Sequence, residues 1–308
     1  MNIHPWTFVH VADMQPGSPR SFRFNPAWAE NWRTAMEQIR QISPDLVLVG
    51  GDLTRDGSLH DFEFAAARAD LNALGCPCHV IPGNMDTGNK HAPCQGARND
   101  RNDLELNVTS EQIRRFARYF GAVNWTFVHK NVRFTGFYEA LAGSGLPEED
   151  EMWQMLEKLR RLPRADHHVV ITHYPLFLDT IDDQTFDLTN MEEYILWYFS
   201  IDREHRFRIV KLLKAAGVNI IISGHIHCFK KDVVDGVRYI KAPATAMSQL
   251  SARWPDTDGT MGFLQFKVTK DGIRDELIPL QKISTAKGYG PGGHPKPEKR
   301  DYSIAWEK

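Results

Sequence analysis

Five short apolar segments in this chain each lead directly into residues whose side chains can bind a metal ion. The segments have the length of buried strands, and they cover residues 6–12, 46–49, 79–81, 169–172 and 220–222. The residues that follow them are Asp13, Gly51-Asp52, Gly83-Asn84, His173 and Gly224-His225-Ile226-His227. Strands that alternate with helices form sheets that bind ligands at the carboxyl ends of the strands. The recurrence therefore predicts an α/β fold with one site at a sheet edge.

Stretches with helical periodicity separate these strands. They cover residues 27–41, 59–74, 149–162 and 206–216, and glycines at 75 and 217 follow two of them as stop signals. The middle of the chain differs, because residues 125–128 and 132–137 flank a Lys130-Asn131 turn and predict a hairpin. Residues 237–240 and 261–268 predict two more antiparallel strands.

Composition restricts the class of protein and its partners. The chain has 308 residues, of which 42% are hydrophobic and 25% charged, and its net charge is −2. This balance is typical of a globular protein and disfavours a nucleic-acid partner. No apolar run approaches the roughly 18 residues that span a bilayer, so we expect no membrane partner. The four cysteines lack CxxC spacing and the N-terminus lacks the pattern of a signal peptide, so we expect a cytoplasmic protein.

We expect a single domain over residues 1–275, followed by a turn-rich C-terminal tail over residues 276–308. Two insertions interrupt the domain at about residues 87–107 and 178–205, and loops of that length are usually functional or disordered. The second insertion holds an aromatic run at residues 194–199. Its spacing favours a packed cap helix over a platform for stacking bases.

The polar motifs, in their chain order, resemble those of the calcineurin-like metallophosphoesterase superfamily. The matching motifs are Asp13-x-Gln15, Gly51-Asp52, Gly83-Asn84-x-Asp86, His173 and Gly224-His225-x-His227. The branch that looks closest has an Asp-x-Gln first motif and comprises calcineurin-like phosphoesterase-domain-containing proteins. The resemblance covers roughly residues 6–270. It implies a four-layer α/β/β/α sandwich of two mixed sheets with flanking helices, which binds two metal ions at one edge.

The resemblance also implies two sets of metal ligands. One metal would bind Asp13, Gln15, Asp52 and His227, and the other would bind Asp52, Asn84, His173 and His225, with Asp52 as the bridge. These are oxygen and imidazole donors without a thiolate, which suits hard or borderline metals. We expect two divalent or mixed-valence ions, with manganese or iron favoured and zinc possible, because Gln15 stands where the superfamily usually has histidine. The alternative is that Gln15 turns away and leaves its metal under-coordinated.

Met85 stands where the superfamily usually has a histidine that protonates the leaving group. The loss of a general acid costs about 10²- to 10⁴-fold in rate, most for poor leaving groups. Asp86 and His91 are candidate substitutes. The alternatives are that Asp86 supports the Asn84 loop and that His91 is an ordinary loop residue. Arg55 is a candidate phosphate donor, or else a surface charge.

The expected function is metal-dependent hydrolysis of a phosphomonoester, phosphodiester or phosphoanhydride in a small phosphorylated substrate. A metal-bound hydroxide at a binuclear centre would attack phosphorus. One alternative is a catalytically weakened protein that binds metal and phosphate, and another is a protein Ser/Thr phosphatase. The Gly-Asp-Leu-Thr motif at Asp52 lacks the ligand tyrosine of purple acid phosphatases, which excludes that branch. The sequence does not indicate an oligomeric state.

Overall fold

The computed structural model describes residues 4–21, 23–92, 106–249, 254 and 256–287. The strands in these ranges are β1 (Trp6–Val11), β2 (Leu46–Gly50), β3 (Cys78–Ile81), β4 (Trp125–His129), β5 (Val132–Gly136), β6 (His167–Ile171), β7 (Ile220–Ser223), β8 (Lys230–Val234), β9 (Val237–Lys241), β10 (Gly262–Thr269) and β11 (Gly272–Pro279). The α-helices are α1 (Pro26–Ile42), α2 (Asp61–Asn72), α3 (Asn84–Thr87), α4 (Ser110–Phe120), α5 (Pro147–Leu159), α6 (Met191–Tyr198) and α7 (Arg203–Ala215), and a short 3₁₀ helix covers Glu139–Leu141.

The strands form two mixed sheets. The first has five strands in the order β11-β10-β1-β2-β3, and the second has six in the order β4-β5-β6-β7-β9-β8. In the first sheet β1, β2 and β3 are parallel, while β10 and β11 are antiparallel. In the second sheet β5, β6, β7 and β9 are parallel, with β4 and β8 antiparallel at the two edges. The expected α/β architecture of two mixed sheets with flanking helices is confirmed.

The central strands are buried on both faces, and alternate side chains enter two different cores. In β2, Leu46 and Leu48 join the core between the sheets, whereas Val47 and Val49 join the core beneath the helices. The inter-sheet core also contains Phe8 from β1 and residues of β6 and β7. Because side chains on a strand alternate with period 2, one apolar run can supply both cores. This explains why the strands read as continuous apolar runs in the sequence.

Local capping signals set the ends of helix α1. Asn25 precedes the helix in an extended conformation, and its side chain accepts a hydrogen bond from the backbone N–H of Ala27. Pro26 occupies the first turn, where its missing N–H is tolerated. The helix ends at Ser43, which adopts the left-handed conformation with φ 51°. The helix therefore lies close to the expected span of residues 27–41.

Some elements differ from the expectations. The edge strand β8, the strand β11 and helix α4 were not predicted, and β11 continues past residue 275 to Pro279. The insertion at 178–205 contains α6, as a cap helix would, and the start of α7. Residues 93–105 of the first insertion and 288–308 of the tail lie outside the described residues. The division into one domain and a tail stays a prediction.

Within the described ranges, we find no helix with both the length and the apolar content that crossing a bilayer requires.

Candidate metal centre and adjoining pocket

The ends of five strands bring six polar side chains together. Asp13, Asp52 and Asn84 follow β1, β2 and β3 of the first sheet, and His173, His225 and His227 follow β6 and β7 of the second. All six side chains are buried. Among the described residues they include two groups whose ligand atoms lie within 4.8 Å of one another: Asp13, Asp52 and His227, and Asp52, His173 and His225. Asp52 belongs to both groups, as a bridging ligand would.

The backbone at this edge is strained. Left-handed φ values occur at five candidate ligands: Asp13 (53°), Gln15 (40°), Asp52 (52°), His225 (68°) and His227 (54°). Each such conformation costs a non-glycine residue about 1–3 kcal/mol and persists only where the surrounding structure enforces it. The strain is therefore concentrated where the strands turn their polar side chains toward one another.

Glycines allow the candidate ligands to approach the backbone closely. A Cβ atom at Gly83 would overlap both the carboxylate and the backbone nitrogen of Asp52. A Cβ atom at Gly224 would lie 2.6 Å from Oδ2 of Asp13. Neither contact is tolerable, so the Gly-Asn and Gly-His pairs of the sequence motifs have a steric reason.

The second group has the hydrogen-bonding pattern of a cation site. Nδ1 of His173 donates to the carbonyl of Gly50 at 2.9 Å, so Nε2 carries the lone pair of the neutral ring. That nitrogen lies 3.1 Å from Oδ1 of Asn84 and 3.4 Å from Oδ1 of Asp52. Three acceptors that face one another need a proton or a metal cation between them. Burial lowers the pKa of His173, but the carboxylates of Asp52 and Asp13 outweigh it and raise the pKa.

The first group shows the same arrangement. Nδ1 of His227 donates to the carbonyl of Met247 at 3.1 Å, which directs the Nε2 lone pair toward Oδ1 of Asp13, 3.2 Å away. That buried Asp13 oxygen accepts no hydrogen bond from the described residues. Imidazole rings held by backbone carbonyls are typical of metal-ligating histidines. Both groups therefore fit a metal cation.

Gln15 is oriented differently from a ligand in this structure. Its Nε2 donates to Oδ2 of Asp52 at 2.8 Å, and its Oε1 accepts from Nη1 of Arg55 at 3.2 Å. The guanidinium of Arg55 lies 4.5 Å from the centre of the Trp28 ring. Arginine can only donate, so it holds the amide oxygen away from the first group. Ligation by Gln15 stays a prediction that requires the amide to rotate.

Asp86 supports the loops that carry the candidate ligands. Its buried carboxylate accepts hydrogen bonds from the backbone nitrogens of Leu53 (3.1 Å), Thr54 (3.0 Å) and Gly83 (2.8 Å). The hydroxyl of Thr54 donates to it at 2.6 Å. Burial and the nearby Asp52 carboxylate raise the pKa of Asp86 to about 7. These contacts fit the loop-supporting alternative and show no approach of Asp86 to the pocket.

His91 does not reach the candidate metal centre in this structure. Its Nε2 lies 2.9 Å from the carbonyl of Val108, at the far end of the loop that follows α3. It is not among the residues that line the pocket beside the centre. The structure therefore brings together the predicted metal ligands and Arg55, but not His91.

A cavity of about 560 Å³ opens beside the metal centre. Its walls include Asp52, Asn84 and His225, together with Arg55 and Met85. The backbone N–H of Met85 donates to Oδ1 of Asp52 at 2.9 Å. The residue at position 85 thus lies at the site, as the motif comparison expects, although its side chain carries no transferable proton.

Sequence reasoning missed Tyr198, which also lines this cavity. Its hydroxyl accepts from Nδ2 of Asn84 at 3.2 Å, and its backbone carbonyl accepts from Nε2 of His225 at 3.2 Å. Tyr198 ends helix α6 within the second insertion. The available signal was the aromatic run in that insertion, but its periodicity does not show which ring faces the site.

Comparisons with known proteins agree with this geometry. The family model described as calcineurin-like phosphoesterase matches residues 7–229. The serine/threonine-protein phosphatase CPPED1 of Danio rerio is 23% identical over 91% of this chain and 86% of its own length. A solved dimetal phosphatase from Danio rerio aligns with TM-score 0.50 and 15% identity over 90% of this chain and 99% of that one. A purple acid phosphatase from yellow lupin aligns with TM-score 0.62 and 14% identity over 92% of this chain and 53% of that one. The two structural likenesses show a shared fold.

Proposed function

Because this chain belongs to the calcineurin-like phosphoesterase family, we propose that it hydrolyses a phosphate ester with the help of two metal ions. The observation that carries the proposal is the pair of acceptor groups that share Asp52. Phosphomonoesters are the substrate class we favour, since the CPPED1 relative is named a serine/threonine-protein phosphatase. Phosphodiesters and phosphoanhydrides are the other classes that such a centre can hydrolyse.

Asp13, Asp52 and His227 would hold one ion, and Asp52, Asn84, His173 and His225 would hold the other. Gln15 would join the first set when its amide leaves Arg55. When bound, the ions would supply Lewis acidity that activates water and offsets negative charge on the phosphoryl oxygens. The oxygen and imidazole donors favour manganese or iron, with zinc as the third choice.

Arg55 would orient the phosphate within the cavity. Arg55 lines this cavity, and its buried Nε has no hydrogen-bond partner among the described residues. Stacking on Trp28 fixes the plane of the guanidinium. Burial, followed by repulsion from Arg23, lowers the pKa of Arg55 to about 10, so the group stays charged at neutral pH. A fixed, charged fork of this kind suits a phosphate.

The test is hydrolysis of p-nitrophenyl phosphate and bis-p-nitrophenyl phosphate by metal-stripped protein reloaded with manganese, iron or zinc. Both substrates have good leaving groups, so Met85 should not mask turnover. Asp52→Asn is the inactive comparison, and Asp271→Asn is the matched control because Asp271 is an exposed turn residue. We expect metal-dependent turnover that Asp52→Asn abolishes and Asp271→Asn preserves, with the monoester preferred.

A second measurement separates the alternatives. If the reloaded protein binds two ions and inorganic phosphate but hydrolyses neither these compounds nor phosphopeptides, the chain is a metal- and phosphate-binding protein, and the hydrolase proposal is wrong. A protein Ser/Thr phosphatase should release phosphate from phosphoserine or phosphothreonine peptides faster than from p-nitrophenyl phosphate. The CPPED1 relative motivates that comparison.

A further inference from the structure

Tyr198 contacts the second group of candidate ligands through both its main chain and its side chain. We propose that its hydroxyl donates a hydrogen bond to the leaving-group oxygen of the bound phosphate ester. In this position the hydroxyl would stabilise the leaving group in part, which the side chain of Met85 cannot do because it carries no proton to donate. The inference rests on the proposed phosphoesterase function and assigns a specificity role to the second insertion.

The segment that carries Tyr198 is fixed on both sides of the residue. Nε1 of Trp197 donates to Oδ1 of Asp202 at 2.8 Å. Lys90, which is only 3% exposed, donates to the carbonyl of Ser200 at 2.7 Å and lies 3.9 Å from the centre of the Trp197 ring. Lys90 lies just after α3, the short helix that begins with Asn84. The insertion is therefore clamped to the chain segment that supplies a candidate ligand.

Contacts with two candidate ligands place the phenol at the edge of the centre. Nε2 of His225 donates to the backbone carbonyl of Tyr198, which fixes the residue relative to the second sheet. Nδ2 of Asn84 donates to the Tyr198 hydroxyl at 3.2 Å, which fixes the ring relative to the first sheet. Oδ1 of the same Asn84 amide lies beside Nε2 of His173, among the acceptors that would hold a cation. The side-chain amide of Asn84 therefore separates the Tyr198 hydroxyl from these acceptors.

The hydrogen bond that the Tyr198 hydroxyl donates to Asn89 is long. The two oxygens are 3.3 Å apart, whereas O–H···O bonds are usually about 2.7–2.8 Å long. Oδ1 of Asn89 also accepts from Nδ2 of Asn84 at 3.0 Å and keeps that bond if the hydroxyl turns. The hydroxyl borders the cavity, so a substrate oxygen can replace Asn89 as its acceptor.

The experiment compares Tyr198→Phe with wild type on two phosphomonoesters that differ in leaving group. p-Nitrophenyl phosphate has a good leaving group, and glycerol 2-phosphate has a poor alkoxide leaving group. Tyr194→Phe is the matched control, because Tyr194 lies on the same helix and is buried away from the cavity lining. Metal content and thermal unfolding of each purified variant show whether the centre and the fold survive.

We expect Tyr198→Phe to lower kcat/KM about tenfold for glycerol 2-phosphate and less than about twofold for p-nitrophenyl phosphate, with unchanged metal content. Tyr194→Phe should leave kcat/KM unchanged for both substrates. Equal losses on both substrates, or loss of bound metal, would show that Tyr198 only supports the centre and would overturn the inference. Absence of turnover by wild type on both substrates would instead overturn the proposed function and, with it, this role of Tyr198.

Discussion

Nε2 of Gln15 donates a 2.8 Å hydrogen bond to Oδ2 of Asp52, the carboxylate that both candidate metal groups share. Arg55 binds the opposite end of the same amide. The carboxylate of Asp52 is therefore held by an amide nitrogen on the side of the first group. Since a nitrogen that carries two protons cannot ligate a metal, the ion at the first group would have three of the proposed ligands, and the ion at the second would have four with Asn84, until the amide of Gln15 rotates.

Replacement of Gln15 by histidine should strengthen metal binding at the first group. An imidazole ring offers a lone pair directly, whereas the amide of Gln15 must first leave Arg55. Imidazole also suits zinc better than an amide oxygen does. We expect the dissociation constant of the weaker zinc site to fall about tenfold. Titration of metal-stripped protein against a chelator of known affinity measures it.

The control for that change is Gln38→His, at a buried glutamine that donates to the carbonyl of Pro279, away from the centre. This variant should leave both zinc affinities unchanged. Equal affinities in wild type and Gln15→His would show that position 15 is not part of a metal site.

A methyl group at Gly83 should displace the carboxylate of Asp52. The added Cβ would overlap Asp52 and lie 2.7 Å from Cε1 of His173, and both neighbours are buried and cannot move apart freely. We expect Gly83→Ala to lower the metal content below one ion per chain, measured by inductively coupled plasma mass spectrometry.

Gly75→Ala separates this steric effect from the general cost of replacing a glycine. Gly75 has φ +76° and no atom within 4 Å of its added Cβ, so it loses about 1 kcal/mol of stability through backbone strain alone. Its metal content should equal that of wild type. A full complement of metal in Gly83→Ala would contradict the packing described for Asp52.

Asp86→Asn should destabilise the protein without a selective effect on poor leaving groups. The carboxylate accepts from three backbone nitrogens and one hydroxyl, and the amide that replaces it would direct an N–H group at one of those donors. We expect the free energy of unfolding in urea to fall by about 1–3 kcal/mol.

The matched control is Asp61→Asn, since Asp61 is an exposed carboxylate that pairs with Arg115 and should contribute about 0–1 kcal/mol. A rate loss in Asp86→Asn that grows with the basicity of the leaving group would assign proton transfer to Asp86. That result would replace the loop-supporting role that the hydrogen bonds indicate.

His10 should make the fold sensitive to acid. Its ring is buried between the sheets, and within the described part of the chain neither of its nitrogens has a hydrogen-bond partner. Burial lowers its pKa from 6.5 to about 3, against a smaller opposing effect of Asp13. Between these values the unfolded chain binds more protons than the folded one, so stability falls as the pH drops below about 6.5.

Urea unfolding at pH 7 and pH 5 measures this effect. His10→Leu removes the group that binds a proton only in the unfolded chain over this range, so we expect the variant to lose about 1–3 kcal/mol less than wild type between the two pH values. His4→Leu is the control, because His4 is exposed and should leave the pH dependence unchanged. Parallel pH profiles of wild type and His10→Leu would contradict this account.

The fold and the gathering of candidate ligands follow from the sequence, because both depend on where apolar runs end. A ligand placed directly after a buried strand has little freedom, so Asp13, Asp52 and His173 lie close together as expected. The orientation of Gln15 could not be predicted in this way. It depends on Arg55, whose position is set by stacking on Trp28.

The missed elements have specific causes. Strand β8 alternates half-buried and exposed residues without an apolar face, and the ion pair between Asp232 and Lys241 of β9 helps to hold it. Helix α4 had a usable signal that was overlooked, since Thr109 and Gln112 form a capping box ahead of Ile113 and Phe116. Tyr198 could not be assigned to the site because its contacts join two distant segments of the chain.

Both sheets supply candidate ligands: Asp13, Asp52 and Asn84 come from one, and His173, His225 and His227 come from the other. Ions bound by these residues would cross-link the two sheets at the edge where their strands end. By mass action, an ion present at a thousand times its dissociation constant adds about 4 kcal/mol to the stability of the state that binds it. Cells deplete proteins that spend more time unfolded, so a shortage of metal would reduce the amount of this protein as well as the activity of each molecule.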